Sequence, residues 1–181
     1  EGADLFVYLN TSEGGSALSS DWGFSHVLPF AADHAFVLED SSYHAIMAHG
    51  ASGWAATHEE NTATDVHTFP GERYVGWSGN QITEVSLPWS TIGDPTQVDF
   101  VIWAQWQDAG HVWAGFPPQN PASANGAGTF THLNHLPDRN VSRSPAAMEI
   151  QTAGVVEKAD DTLNVAIVFK QHQSYYKNKR T

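Results

Sequence analysis

Trp106 and Trp113 stand seven positions apart with Gln107, Asp108 and His111 between them and Gln105 just before. Indole faces beside a carboxamide, a carboxylate and an imidazole are the groups that sugar recognition uses. The ring takes the apolar face of the pyranose without needing charge, and the polar groups bond its hydroxyls. Trp22 and Trp77 sit in the Gly-containing stretches DWGF and VGWSG and extend the set of candidate stacking rings. Core packing competes for the same rings. Trp103 and Trp106 fall on opposite faces of any strand that contains both, so at least one of them belongs to the interior.

Carboxylates are the second group with chemical potential. Asp21, Asp33 and Asp40, with Glu39 beside the last, offer oxygen ligands of the kind Ca²⁺ takes, although no twelve-residue EF-hand loop is present. Nothing in the spacing fixes two carboxylates at glycosidase separation. Ser90 lacks the Gly-x-Ser-x-Gly surroundings of a nucleophile, and the glycines near Gly14 do not form a phosphate loop. His132 and His135 are three apart, which on a strand sends them to opposite faces. Met47 and Met148 stand in no haem-binding pattern, so a haem-binding electron-transfer domain is the most distant reading. The residues point to binding without catalysis, with Ca²⁺ as the expected ion and no organic cofactor.

Composition narrows the partners. Twenty acidic residues against eight basic ones give a formal charge of -12, which opposes encounter with nucleic acid or an anionic membrane. Up to Glu157 the only basic residues are Arg73, Arg139 and Arg143, whereas Lys158, Lys170, Lys177, Lys179 and Arg180 crowd the end. This shift marks residues 151–181 as a separate C-terminal extension. The chain has no cysteine, which removes disulfides and thiolate sites. It also has no apolar run of membrane-spanning length, so no membrane insertion is expected.

The elements that must hold these residues read as short strands. Asp4 to Leu9, His34 to Glu39, Tyr43 to His49, Trp54 to His58, Arg73 to Trp77 and Gln81 to Leu87 are rich in β-formers and separated by turn residues. Asn10 to Ser20 and Glu59 to Pro70 read as polar connections. Val98 to Gln107 alternates over its whole length, Asp108-Ala109-Gly110 closes a hairpin, and Val112 to Phe116 returns antiparallel. Leu163 to Lys170 is a detached β run. No window carries a long helix, and the pattern predicts an all-β, antiparallel, jelly-roll-like sandwich over residues 1–150, followed by an extension with one strand and a basic tail.

The stretches DLFVYLNTSEGGS, DWGFSHVLPFAADHAFVLED and GWSGNQITEVSLPWSTIG followed by VDFVIWAQW resemble the DOMON-like β-sandwich domains, especially those related to carbohydrate-binding module family 9 and the C-terminal domain of glucodextranases. The likeness covers roughly residues 1 to 136. It rests chiefly on Glu84-Val85-Ser86-Leu87-Pro88 leading into Trp89-Ser90-Thr91-Ile92-Gly93. It implies an extracellular or cell-surface domain that binds polysaccharide, part of a larger protein, with structural calcium in its loops. Such domains usually have strands before the DLFVYL strand, so a sandwich incomplete at its N-terminal edge is expected here. That edge, or the strand at 163–170, would then permit self-association, and a structural subunit of a filament or surface layer is the second reading.

Overall fold

The computed structural model describes residues 4–21, 23–39, 43–61, 66–69, 73–78, 82–106, 111–120, 127–136 and 162–168. The chain is all-β, and among the described residues the strands pair antiparallel and one short 3-10 turn occurs. It divides into two compact units, residues 1–64 with 89–145 and residues 65–88 with 146–181.

The first unit is built on a seven-stranded sheet. Strands β1 (Asp4–Asn10), β4 (His34–Glu39), β5 (Tyr43–Gly50) and β6 (Gly53–Asn61) run in that spatial order on one side, and β10 (Val98–Trp106) with β11 (His111–Phe116) continues it on the other side of β1. Strand β12 (Asn134–Leu136) extends the β11 edge by pairing with Val98–Phe100 of β10. The expected open edge at the N-terminal strand is not found. Strand β1 is central, with Leu5–Leu9 paired to β4 on one side and to β10 on the other. Its sequence explains the position, since DLFVYL is apolar on both faces and only a strand buried on both faces can use such a run.

The register assigns the two faces. Phe6 and Tyr8 of β1 lie level with Trp103 and Val101 of β10 and with Val37 and Ala35 of β4; Leu5, Val7 and Leu9 share the opposite face with Ala104, Ile102 and Phe100. Residues of both sets are buried. On the first face, Leu28 and Ala32 of β3 (Val27–Ala32) and Phe130 complete a core around Trp103. The Trp103 ring is fully buried and stacked with Tyr8 at 5.0 Å, Phe6 at 5.5 Å and Phe130 at 4.7 Å between centroids. Of the two rings that alternation had set against each other, Trp103 is therefore the interior one.

Strand β3 and its partner β2 (Ser16–Leu18) form a small hairpin sheet within stretches that read as loop in the sequence. Gly15 sets its geometry. It has a φ of 87°, and a Cβ there would stand 2.2 Å from the backbone oxygen of Ala32. The 3-10 turn Trp89–Ile92 ends at Gly93, whose φ of 83° closes the turn in the left-handed region. This is the physical content of the Trp-Ser-Thr-Ile-Gly pattern.

The second unit contains a four-stranded sheet in the order β13 (Thr162–Val168), β9 (Ile82–Pro88), β8 (Arg73–Ser78), β7 (Val66–Phe69). The C-terminal strand pairs antiparallel with β9 over seven consecutive positions, from Thr162 opposite Pro88 to Val168 opposite Ile82. Strand β7 falls in the stretch read as a polar connection.

Candidate functional site: the aromatic hairpin

The β10–β11 pair carries a one-residue irregularity. Ala104 lies opposite Ala114, but Gln105 lies opposite Val112, so Trp113 is the extra residue of a β-bulge. A bulge of this kind re-aims the side chain it releases. Val112 stays in the core at 1% exposure, while Trp113 turns outward at 40%. Trp113 is the only Trp, Tyr or Phe that stands exposed among the residues whose side chains are described. Its ring meets that of Trp106 at 5.4 Å between centroids with a 50° angle between planes. Trp106 is half-buried and lies opposite His111, which is also half-buried.

Two rings at this distance and angle form an open corner. One side of it is anchored by packing and the other stands in solvent, an arrangement suited to stacking against a sugar ring or holding a cation. Gln107 and Asp108, expected beside these rings, lie outside the described residues, as does Trp22. Trp77 lies within strand β8 of the other unit, and not in a turn as its glycine neighbours suggested. Gln105 is withdrawn from the surface altogether. It is fully buried, and its Oε1 accepts from His26 Nε2 at 2.7 Å and from Trp103 Nε1 at 3.1 Å.

That withdrawal exposes a polar network that the sequence did not reveal. Asp21 and His26 are both without solvent exposure. Tyr8 donates its hydroxyl to Asp21 Oδ1 at 2.9 Å, Ser19 Oγ donates to Asp21 Oδ2, and the His26 backbone N–H donates to Ser19 Oγ at 2.8 Å. The Gly128 N–H donates to His26 Nδ1 at 2.7 Å. Nδ1 is thus an acceptor, and the neutral ring carries its proton on Nε2, which it gives to Gln105. His26 Nε2 is 3.6 Å from Asp21 Oδ2. Burial pushes Asp21 up to about 7, against the opposing effect of the Ser19 and Tyr8 bonds. Burial holds His26 below its ordinary value, partly offset by Gln105. Burial and then the charge of Asp21 push the Tyr8 phenol far up. Tyr8 and Asp21 are thirteen residues apart with strand β2 between them, and residues so joined by tertiary packing leave no local signal of such a network.

Asp33 does a different job. Its Oδ1 accepts from the Thr11 backbone N–H at 2.8 Å, and its Oδ2 accepts from the Thr11 and Ser12 hydroxyls. Burial alone would raise this carboxyl, but His34, Ser12 and Thr11 outweigh it and hold Asp33 well below the usual carboxylate range. Asp21 and Asp33, grouped as calcium ligands, therefore belong to separate networks in which both oxygens of each already meet protein donors. Asp40 lies outside the described residues. No group of three or more His, Asp or Glu that could hold a metal is found among the described residues.

Elsewhere on this unit a polar depression of about 490 Å³ is lined by Asn10, Thr11, Ser12, Glu13, Gln97 and Asp99, among others. Asp99 there bonds His135 Nδ1 at 2.7 Å. The depression offers hydroxyls and carboxylates but no ring. It lies at the far end of β10 from Trp106, roughly 23 Å along the strand. His132 and His135 are both exposed, and Met47 packs against the core of the first unit. No helix among the described residues is long and apolar enough to cross a membrane. Comparison with known protein families, with curated proteins and with solved structures returns no match.

Proposed function

We propose that the chain is a non-catalytic, extracellular or cell-surface β-sandwich that binds carbohydrate by stacking a sugar ring on Trp106 and Trp113. The observation that carries this reading is the bulge at Trp113, beside which an exposed indole stands 5.4 Å from a half-buried one at the end of strand β10. A ring wholly needed for packing would not be released from the ladder. The likeness of the sequence to carbohydrate-binding module family 9 supports the same reading. Affinity electrophoresis through gels containing individual polysaccharides tests it. Retardation by at least one glycan, reduced about tenfold or more in Trp113→Ala, is the expected result. Equal mobility in every gel removes the reading.

The second reading, a structural subunit joined by strand exchange, is favoured by one observation. Among the described residues, strand β13 is an edge strand whose seven pairs are all with β9, and 25 residues, 137–161, separate it in sequence from β12. A neighbour's strand can make the same pairs. Size-exclusion chromatography over a concentration series should then show oligomers that disappear on deletion of residues 162–181. A concentration-independent monomer before and after deletion contradicts it.

A further inference from the structure

We infer that the glycan recognised at the Trp106–Trp113 corner is cationic, a polymer of amino sugars with free ammonium groups. This inference rests on the glycan reading above and adds to it the chemical class of the ligand. Two independent observations carry it.

The first is the geometry of the rings. Planes inclined at 50° with centroids 5.4 Å apart do not make one flat platform. They make a corner in which a single charged group lies within about 6 Å of both faces, the range in which an indole attracts a cation. Indole is the strongest of the aromatic partners for this purpose, and Trp113 is open enough at 40% exposure to be reached.

The second is charge. Residues 1–64 and 89–145, which form the unit bearing the corner, hold thirteen acids against two arginines, Arg139 and Arg143. No lysine or arginine occurs between Arg73 and Arg139, a span that contains all of β9 to β12. An anionic glycan would meet repulsion, and strands β9 to β12 carry no lysine or arginine to bond its carboxylates or sulfates. A neutral glycan gains nothing from the field, whereas a cationic one gains in both encounter rate and affinity.

Calorimetric titration of the full chain with four oligosaccharides of equal length tests the inference: glucosamine, N-acetylglucosamine, glucose and galacturonate oligomers, each at low and high NaCl and at a pH where the free amine is protonated. The glucosamine oligomer should bind about tenfold or more tighter than the acetylated and glucose oligomers at low salt, and this advantage should shrink at high salt as screening shortens the field. Trp113→Phe should weaken binding and keep the preference; Trp113→Ala should lose both. Equal binding of the acetylated or glucose oligomer overturns the cationic assignment and leaves the glycan reading standing. Binding of the amine oligomer that Trp113→Ala leaves unchanged reports bulk attraction to an acidic protein and overturns the assignment to this corner. No binding of any of the four overturns the cationic assignment, and the electrophoresis across polysaccharides decides the glycan reading separately.

Discussion

Asp21 has no exposed surface and yet keeps a carboxyl group, so its ionisation works against the fold. Its pKa is raised to about 7 by burial. Below the ordinary aspartate value it is protonated in both folded and unfolded chains. As pH rises from about 4 through 7, the unfolded chain releases this proton more readily, and stability is lost. His26 acts in the opposite direction. Its folded pKa is lowered, so stability is lost as pH falls below about 6.5, where the unfolded chain takes up a proton that the folded ring declines. Asp21→Asn, which keeps the shape of the protonated acid, should flatten the decline above pH 4 by roughly a few kcal/mol relative to the parent. Urea unfolding from pH 4 to 8 measures this. A parent and variant with parallel pH profiles would mean that Asp21 is not held protonated.

At the scale of elements, the alternation of Val98–Trp106 was readable because a strand buried on both faces still obeys a period of two. That period put Trp103 and Trp106 on opposite faces, and burial identifies Trp103 as the interior one. The bulge was not readable. It depends on which residue of β11 skips its partner, and a one-residue slip reverses every side chain without changing composition. Strand β2 was equally hidden, because NTSEGGSALSS has the composition of a loop and becomes a strand only through pairing with β3. Gly15 makes that pairing possible by letting the chain approach Ala32 without a side chain. Gly15→Ala should therefore destabilise the protein by about 2–4 kcal/mol, combining left-handed strain with a backbone clash. Chemical denaturation gives the number, and an unchanged midpoint would show that β2 is not held against β3 as described.

At the scale of the whole molecule, sequence composition correctly announced an all-β chain, because β-formers in short runs between turn residues admit few other packings. It also located the aromatic hairpin, but it did not separate surface residues from interior ones. Gln105 looked like a hydroxyl partner for a sugar and proved to be the acceptor that joins His26 to Trp103. Such reversals follow from tertiary pairing of β1, β3 and β10, segments tens of residues apart. The excess of acids over the unit bearing the hairpin gives the surroundings of Trp106 and Trp113 a negative field without any single residue being responsible. The central claim is that Trp113 leaves the ladder in order to meet a ligand. Intrinsic fluorescence titration with soluble oligosaccharides tests it most directly, since a ring that is 40% exposed changes its emission when a sugar covers it. The account predicts a saturable spectral shift in the parent that is absent in Trp113→Ala, with the unfolding midpoint of that variant close to the parent's. A parent spectrum indifferent to every oligosaccharide, or an undiminished shift in Trp113→Ala, would contradict it.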